Sequence, residues 1–241
     1  MNLNSGNFKI GILVPSTSRN RDWENITDSY LYSIFLKSFL LTYNKEYEYV
    51  IYVGIDKDDK LLISVESQQV VQRLIGIMKN VTLKFIEIDC EPGHVTEMWN
   101  YLFTKAYNQG CDYFFQSGDD IEFLSNDWVK LSIYQLQKSR GIGVTGPVDL
   151  NNPRILTQSF VSRKHYEKLG YYFPKEIKNW YCDDWITELY ISIGKLFPLG
   201  THLCKNSGGA PRYKIVGTVS KGDPVKKLCK ELVQRDIPKF K

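Results

Sequence analysis

The chain has 241 residues, 43% of them hydrophobic and 14% aromatic, with 31 basic residues against 27 acidic ones and a formal net charge of +4. That composition suits one large or two small domains with a substantial core and argues against intrinsic disorder. The near-balanced charge, with only short basic clusters such as Lys226-Lys227 and Lys239 to Lys241, argues against a nucleic-acid track.

Lys9 to Val14 is short, β-branched and stopped by Pro15, as expected of a first buried strand. The polar loop 16–25 leads to a predicted helix over Tyr30 to Leu41, with Leu31, Ile34, Phe35, Phe39 and Leu40 at helical spacing. Strands are predicted over Tyr49 to Ile55 and Val81 to Ile88, and helices over Ser67 to Met78 and Val95 to Tyr107. Tyr113, Phe114 and Phe115 read as a further buried strand that breaks at Ser117-Gly118 before Asp119 and Asp120. Trp128 to Gln137 reads as a helix, Gly141 to Thr145 as a short strand, and Phe160 to Gly170 and Trp185 to Ile193 as helices. Beyond Lys205, Asn-Ser-Gly-Gly-Ala-Pro signals flexibility. Alternating strands and helices predict an α/β fold with a mostly parallel central sheet and helices on both faces. Residues of about 8–122 form its regular half, and about 123–241 an irregular, aromatic half, within a single domain.

Cys90, Cys111, Cys182, Cys204 and Cys229 form no CxxC pair, so reduced cytosolic thiols are expected rather than a disulfide framework or zinc knuckle. Residues 1–7 are polar and lack an apolar signal core, and no run approaches the roughly 18 apolar residues of a membrane span. The expected location is cytoplasmic. The aromatic second half can hold an interface, so a homodimer is one candidate assembly.

Two adjacent carboxylates at the end of an apolar strand are costly unless a positive charge neutralises them. A divalent cation held by oxygen ligands does so and can also grip a diphosphate, which makes Asp119-Asp120 a candidate metal site. Ligands of open α/β sheets sit beyond the carboxyl ends of the strands. Two other strand ends carry suitable groups: Pro15-Ser16-Thr17-Ser18-Arg19, with hydroxyls, backbone donors and a cation, and Asp56, suited to a base or ribose. Each of these alone is as well explained by a helix cap or a turn. A second acidic pair, Asp183-Asp184, precedes the predicted helix at Trp185; one acid could cap that helix while the other faces a cleft between Trp180 and Trp185 as a general base. His202 is an ordinary histidine taken alone; with the Asp pair it would complete an octahedral Mn2+ or Mg2+ site. Arg212 and Lys214, past the flexible run, are surface charges by default and could close over a diphosphate.

With these landmarks in order, the chain resembles the GT-A superfamily of nucleotide-sugar glycosyltransferases. The residues that carry the resemblance are Val14-Pro15-Ser16-Thr17, Asp56, Trp99-Asn100, Gly118-Asp119-Asp120 in place of the Asp-x-Asp motif, Asp183-Asp184 and His202. It implies metal-dependent transfer of a hexose from a nucleoside diphosphate, most often UDP (UDP-glucose or UDP-galactose), to a hydroxyl of a glycan or protein. It further implies donor-binding roles for Pro15, Ser16, Thr17, Arg19, Asp56, Asn100, Asp119, Arg212 and Lys214. Acceptor-binding roles follow for Trp180 and Trp185, catalytic roles for Asp183 and Asp184, and metal binding by Asp120 and His202. Gly118 departs from the motif, which moves the metal to Asp120 and leaves Asp119 a ribose-binding or water-mediated role. The absent signal is also similar to soluble glycosyltransferases of large DNA viruses, bacteria or protists. The rivals are a nucleotidyltransferase, a GDD-type polymerase fragment and a carbohydrate-binding module. The first usually carries a Gly-rich loop that is missing here, the second needs more chain, and the third leaves Asp120 without a role.

Overall fold

The computed structural model describes residues 7–213 and 224–241. Eight strands form one sheet: β1 Lys9–Ser16, β2 Glu48–Asp56, β3 Val81–Ile88, β4 Tyr113–Gln116, β5 Ile121–Phe123, β6 Val144–Asp149, β7 Ser159–Ser162 and β8 Leu196–Asn206. Their order is β3-β2-β1-β4-β7-β6-β8-β5. The pairs β1–β2, β2–β3, β1–β4 and β6–β8 are parallel, while β4–β7, β6–β7 and β5–β8 are antiparallel.

The parallel block needs both faces covered, and its strands are accordingly apolar on both sides. Every residue of β4 is buried, and all but the first of β1 and β2. One face is covered by a helical segment that is π-wound over Leu31–Leu36 and continues as α1, Lys37–Thr42, together with α3, Val65–Ile75, and α5, Trp128–Lys138. The short α2, Lys60–Ile63, leads into α3. Phe35, Phe39, Phe115, Phe123 and Trp128 pack together on this side. The other face is covered by α4, Val95–Asn108, α6, Arg163–Leu169, α7, Cys182–Ser192, and α8, Pro224–Asp236, over a core that includes Leu102, Phe103, Phe114, Trp185 and Val233. Each fully buried large side chain contributes about 1.5–3 kcal/mol.

The expected α/β architecture is the one observed, with differences of detail. Phe160 and Val161 lie in β7, and the helix predicted from Phe160 begins only at Arg163. The strand expected over Gly141 to Thr145 starts at Val144 and runs on to Asp149. The last predicted helix starts at Cys182, so Asp183 and Asp184 fall inside its first turn. Beyond the Asn-Ser-Gly-Gly-Ala-Pro run, where the sequence reading places no element, Pro224–Asp236 is helical, burying Cys229, Leu232 and Val233 on an amphipathic face.

Chain order along the sheet sends β2 and β3 to one side of β1 and β4 to the other. The carboxyl ends of β1 and β4 therefore diverge and leave a crevice where open α/β sheets take ligands. Within β6, Gly146 has φ +153, and a Cβ there would come within 2.7 Å of the Gln158 carbonyl oxygen. Gly146→Ala should therefore lower stability by ~2–4 kcal/mol in urea unfolding, because backbone must move to admit one methyl group.

Candidate active site

A cavity of about 560 Å³ opens over these strand ends. Its size is typical of a small-molecule site. The floor is made by Pro15 and Ser16 at the end of β1 and Thr17 just after it, Asp56 at the end of β2, Gln116 at the end of β4, and Gly118 and Asp120 just after it. Asp149 at the end of β6, Thr157 and Gln158 before β7, and Asn206 at the end of β8 complete it. Arg21 and the returning segment 208–213 line one part of the cavity; Glu91, His94, Asn179, Trp180 and Asp183, from around the starts of α4 and α7, line another, and the two parts approach each other at Gly93 and Tyr213.

Asp119 is fully buried and does not line the cavity. Arg212 engages both of its oxygens, with Nη1 to Oδ2 at 2.6 Å, and Ser16 Oγ donates to Oδ2 at 2.6 Å. Arg212 also donates to the Thr17 carbonyl at 3.1 Å. Burial pulls the guanidinium pKa down, but Asp119 and Asp120 outweigh it and hold Arg212 charged. The expectation that Asp119 binds ribose is corrected: in this structure its carboxylate is occupied by the protein, and it fastens the segment 207–213 across the strand ends. Arg212 does line the cavity, on that segment.

Asp120 is the member of the pair that faces the cavity. Its side chain is 19% exposed and lies 3.9 Å from Arg212. Burial and the neighbouring Asp119 push its carboxyl pKa up, against the pull of Arg212. Glycines flank it: a Cβ at Gly118 would come within 2.5 Å of Oδ1, and one at Gly208 would overlap Oδ2. The departure from Asp-x-Asp thus has a steric reason, since a side chain at 118 would displace the Asp120 carboxylate. Among the described residues no group of three or more His, Cys, Asp and Glu could hold a metal ion. A single hard carboxylate such as Asp120 would hold a Mn2+ or Mg2+ only if the ion kept most of its coordination positions for water and phosphate oxygens. His202 is not part of this set. Asn206, not His202, pairs with Ile121 beside the Asp pair, and four residues of strand carry His202 ~13 Å along β8, where its Nδ1 meets Thr201 Oγ1.

Asp56 is buried and faces the cavity. Its Oδ2 accepts from Thr17 Oγ1 at 2.9 Å and from Tyr213 Oη, and lies 3.5 Å from Arg19 Nε; Oδ1 takes no part in these contacts. Burial and the bond to Asp56 raise the Tyr213 phenol pKa. Arg19 does not line the cavity; it forks onto Asp58 at 2.6 and 2.7 Å. The cation that does line it is Arg21, which donates to the Ala210 carbonyl at 2.5 Å and has a buried Nε without a partner. Nothing in local sequence separates Arg19 from Arg21; only the path of the loop does. Lys214 lies outside the described residues.

Asn100 is corrected as well. Its Oδ1 accepts from the backbone of Tyr172 and Phe173 at 2.8 and 2.9 Å, and its Nδ2 donates to the Phe173 carbonyl at 2.8 Å, so it fastens a loop outside the cavity. Its neighbour Trp99 donates to the Ser117 carbonyl at 3.2 Å and supports the turn before the Asp pair.

The second acidic pair divides. Asp184 points away from the cavity and pairs with Arg154 at 3.0 Å. Asp183 faces the cavity, and among the described residues its carboxylate accepts from the Cys182 thiol at 3.5 Å. Neither acid caps α7, whose N-cap is Tyr181 at φ +72, with no side-chain capping bond to the helix. Burial pushes the Asp183 carboxyl up to about 7; the Cys182 bond opposes the rise, and Asp184 and Asp149 add to it. Asp149 accepts from the Asn151 and Asn206 backbones at 2.9 and 3.3 Å and from Thr157 Oγ1 at 3.0 Å. Trp180 is 45% exposed on the cavity wall. Trp185 is 0% exposed, packed against Tyr171 and Phe173, so it is a core residue and not an acceptor contact.

Two outcomes test these assignments. Arg212→Met strands a buried Asp119 charge and should cost ~3–5 kcal/mol in chemical unfolding, more than a surface pair would. An Asp183 carboxyl that binds its proton more tightly folded than unfolded makes stability fall as pH rises from about 4 to about 7. Asp183→Asn should accordingly melt higher than the parent at pH 8, with the gap closing by pH 4.

No protein-family model matches the chain, and no curated protein matches it in sequence. Among solved structures, the crystal structure of S. aureus TarS is similar with a TM-score of 0.55 at 15% identity, over 83% of this chain and 37% of that one. The structure of S. aureus TarS 1-349 in complex with UDP is similar with a TM-score of 0.51 at 16% identity, over 84% of this chain and 59% of that one. The chain therefore spans less than two thirds of either neighbour. At this identity the likeness is one of fold, and the fold is that of the glycosyltransferase TarS.

Proposed function

We propose that the chain transfers a hexose from a UDP-sugar to a hydroxyl acceptor, with Asp183 as the general base. The observation that carries this reading is the position of Asp183: a carboxylate whose pKa is raised to about 7, in the same cavity as Asp56 and Asp120. A general base is most effective when its pKa lies near the working pH. The UDP complex of a structure sharing this fold supports the choice of nucleotide.

In this reading Asp56 accepts from the uracil or ribose, and Ser16 and Thr17 line the bed beneath the nucleotide. Arg21 and Arg212 supply positive charge to the diphosphate, and Asp120 holds the divalent cation, Mn2+ or Mg2+. When bound there, that cation offsets the negative charge that grows on the departing diphosphate. An acceptor hydroxyl on the far side of the sugar gives its proton to Asp183. Its oxygen forms the bond to the anomeric carbon, the bond from that carbon to the phosphate oxygen breaks, and UDP leaves with the electron pair. A base placed on the acceptor side favours a single displacement with inversion. Donor assays should begin with UDP-glucose and UDP-galactose, with glycan and protein hydroxyls as acceptors.

Asp183→Asn should lower kcat by ~100-fold or more while UDP binding measured by calorimetry is retained. The parent should show a kcat/KM that rises with pH through about 7, because the base must be deprotonated to accept the proton. Asp120→Asn should weaken UDP binding only when Mn2+ is present. Full turnover in Asp183→Asn would remove the assignment.

A further inference from the structure

The charges that line the cavity are unevenly placed: Asp56 and Asp120 have Tyr213 and Arg212 of the returning segment beside them, whereas the acids near the start of α7 do not. Among the described residues, the lysine and arginine side chains that line it are Arg21 and Arg212, both beside the returning segment; Arg21 holds the Ala210 carbonyl, and Arg212 holds Asp119. Where the loop before α4 and the start of α7 line the cavity, the described residues include Glu91, His94 and Asp183 and no lysine or arginine, and Asp149 lies close enough to Asp183 to raise its pKa. Arg154 is spent on Asp184 outside the cavity. On this acidic wall Trp180 presents a ring that is 45% exposed. Next to it Asn179 is held by a hydrogen bond from Nδ2 to the Gly93 carbonyl at 2.8 Å, which ties α7's approach to the loop before α4.

Resting on the proposed transferase reading, we propose that the acceptor is an uncharged sugar, seated with its C–H face on Trp180, and that this wall rejects anionic acceptors. An exposed indole offers an apolar platform with a polar edge, which matches the apolar face and hydroxyl rim of a pyranose. A phosphate or carboxylate on the acceptor would instead sit beside two or three carboxylates, with no lysine or arginine among the described residues there to neutralise it. The cationic wall cannot serve both substrates, because the diphosphate of the donor takes it. Discrimination therefore arises from repulsion on one wall as much as from attraction on the other.

The test uses the whole chain with UDP-glucose or UDP-galactose and Mn2+, and a panel of neutral alkyl glycosides beside their 6-phosphates and the matching uronides. UDP released without acceptor and calorimetric UDP binding are recorded in parallel. The expected result is that the acceptors used are neutral glycosides, with kcat/KM at least about tenfold higher than for their charged counterparts, and that rising salt narrows the ratio. Glu91→Gln should narrow it as well. Trp180→Ala should raise the acceptor KM about tenfold with a smaller change in kcat, and Trp180→Phe should recover most of the loss. Equal or better use of the phosphorylated or uronide acceptors overturns the proposal. So does UDP binding and hydrolysis with no neutral glycoside used, and in that case the donor reading survives. If UDP neither binds nor is released, both readings fall together.

Discussion

A carboxylate with no contact with solvent must be matched by a cation, and the site of this protein is arranged around one such match. Asp119 lies fully buried three residues past the apolar strand β4, and Arg212 reaches it from a segment 93 residues later. Because the cost of leaving that charge unpaired is several kcal/mol, the segment 207–213 is drawn across the carboxyl edge of the sheet. It then brings Tyr213 to Asp56 and Gly208 to Asp120, and supplies the cationic wall of the cavity. The same pair frees Asp120 for the cavity, since its neighbour absorbs the guanidinium.

The part of the cavity lined by α7 depends on a different device. The N-cap of α7 is Tyr181 in a left-handed conformation, without a side-chain cap. The helix therefore starts one turn earlier than the run of apolar residues suggests, and Asp183 and Asp184 lie on it and diverge. One of them meets Arg154 and solvent; the other meets the cavity, where desolvation raises its pKa. Two adjacent acids thus acquire different chemistry from the direction in which a helix presents them.

Much of this was legible beforehand, for physical reasons that can be named. β-branched and aromatic runs at the end of which the chain breaks, as at Val14-Pro15 and Phe115 to Gly118, mark buried parallel strands whatever surrounds them. The order of strands and helices then places Ser16, Asp56 and Asp120 along one edge. Other residues were misplaced because sequence carries no signal for direction. Trp185 and Trp180 read alike, yet one is in the core and the other on the cavity wall. Asn100 was assigned to the donor but closes hydrogen bonds with Tyr172 and Phe173 backbone. His202 sits on a long strand whose register carries it away from Asp120.

Local propensity, hydrophobic period and the cost of adjacent charges determined by themselves that this chain is an α/β protein with acids at its strand ends. Those effects act within a few residues, so they can be read in one dimension. Tertiary structure alone decided which acid is buried against Arg212, which arginine lines the cavity, and which member of Asp183-Asp184 faces it. Each of these depends on contacts between residues far apart in the chain, where burial and distance set the charge and the chemistry of a side chain.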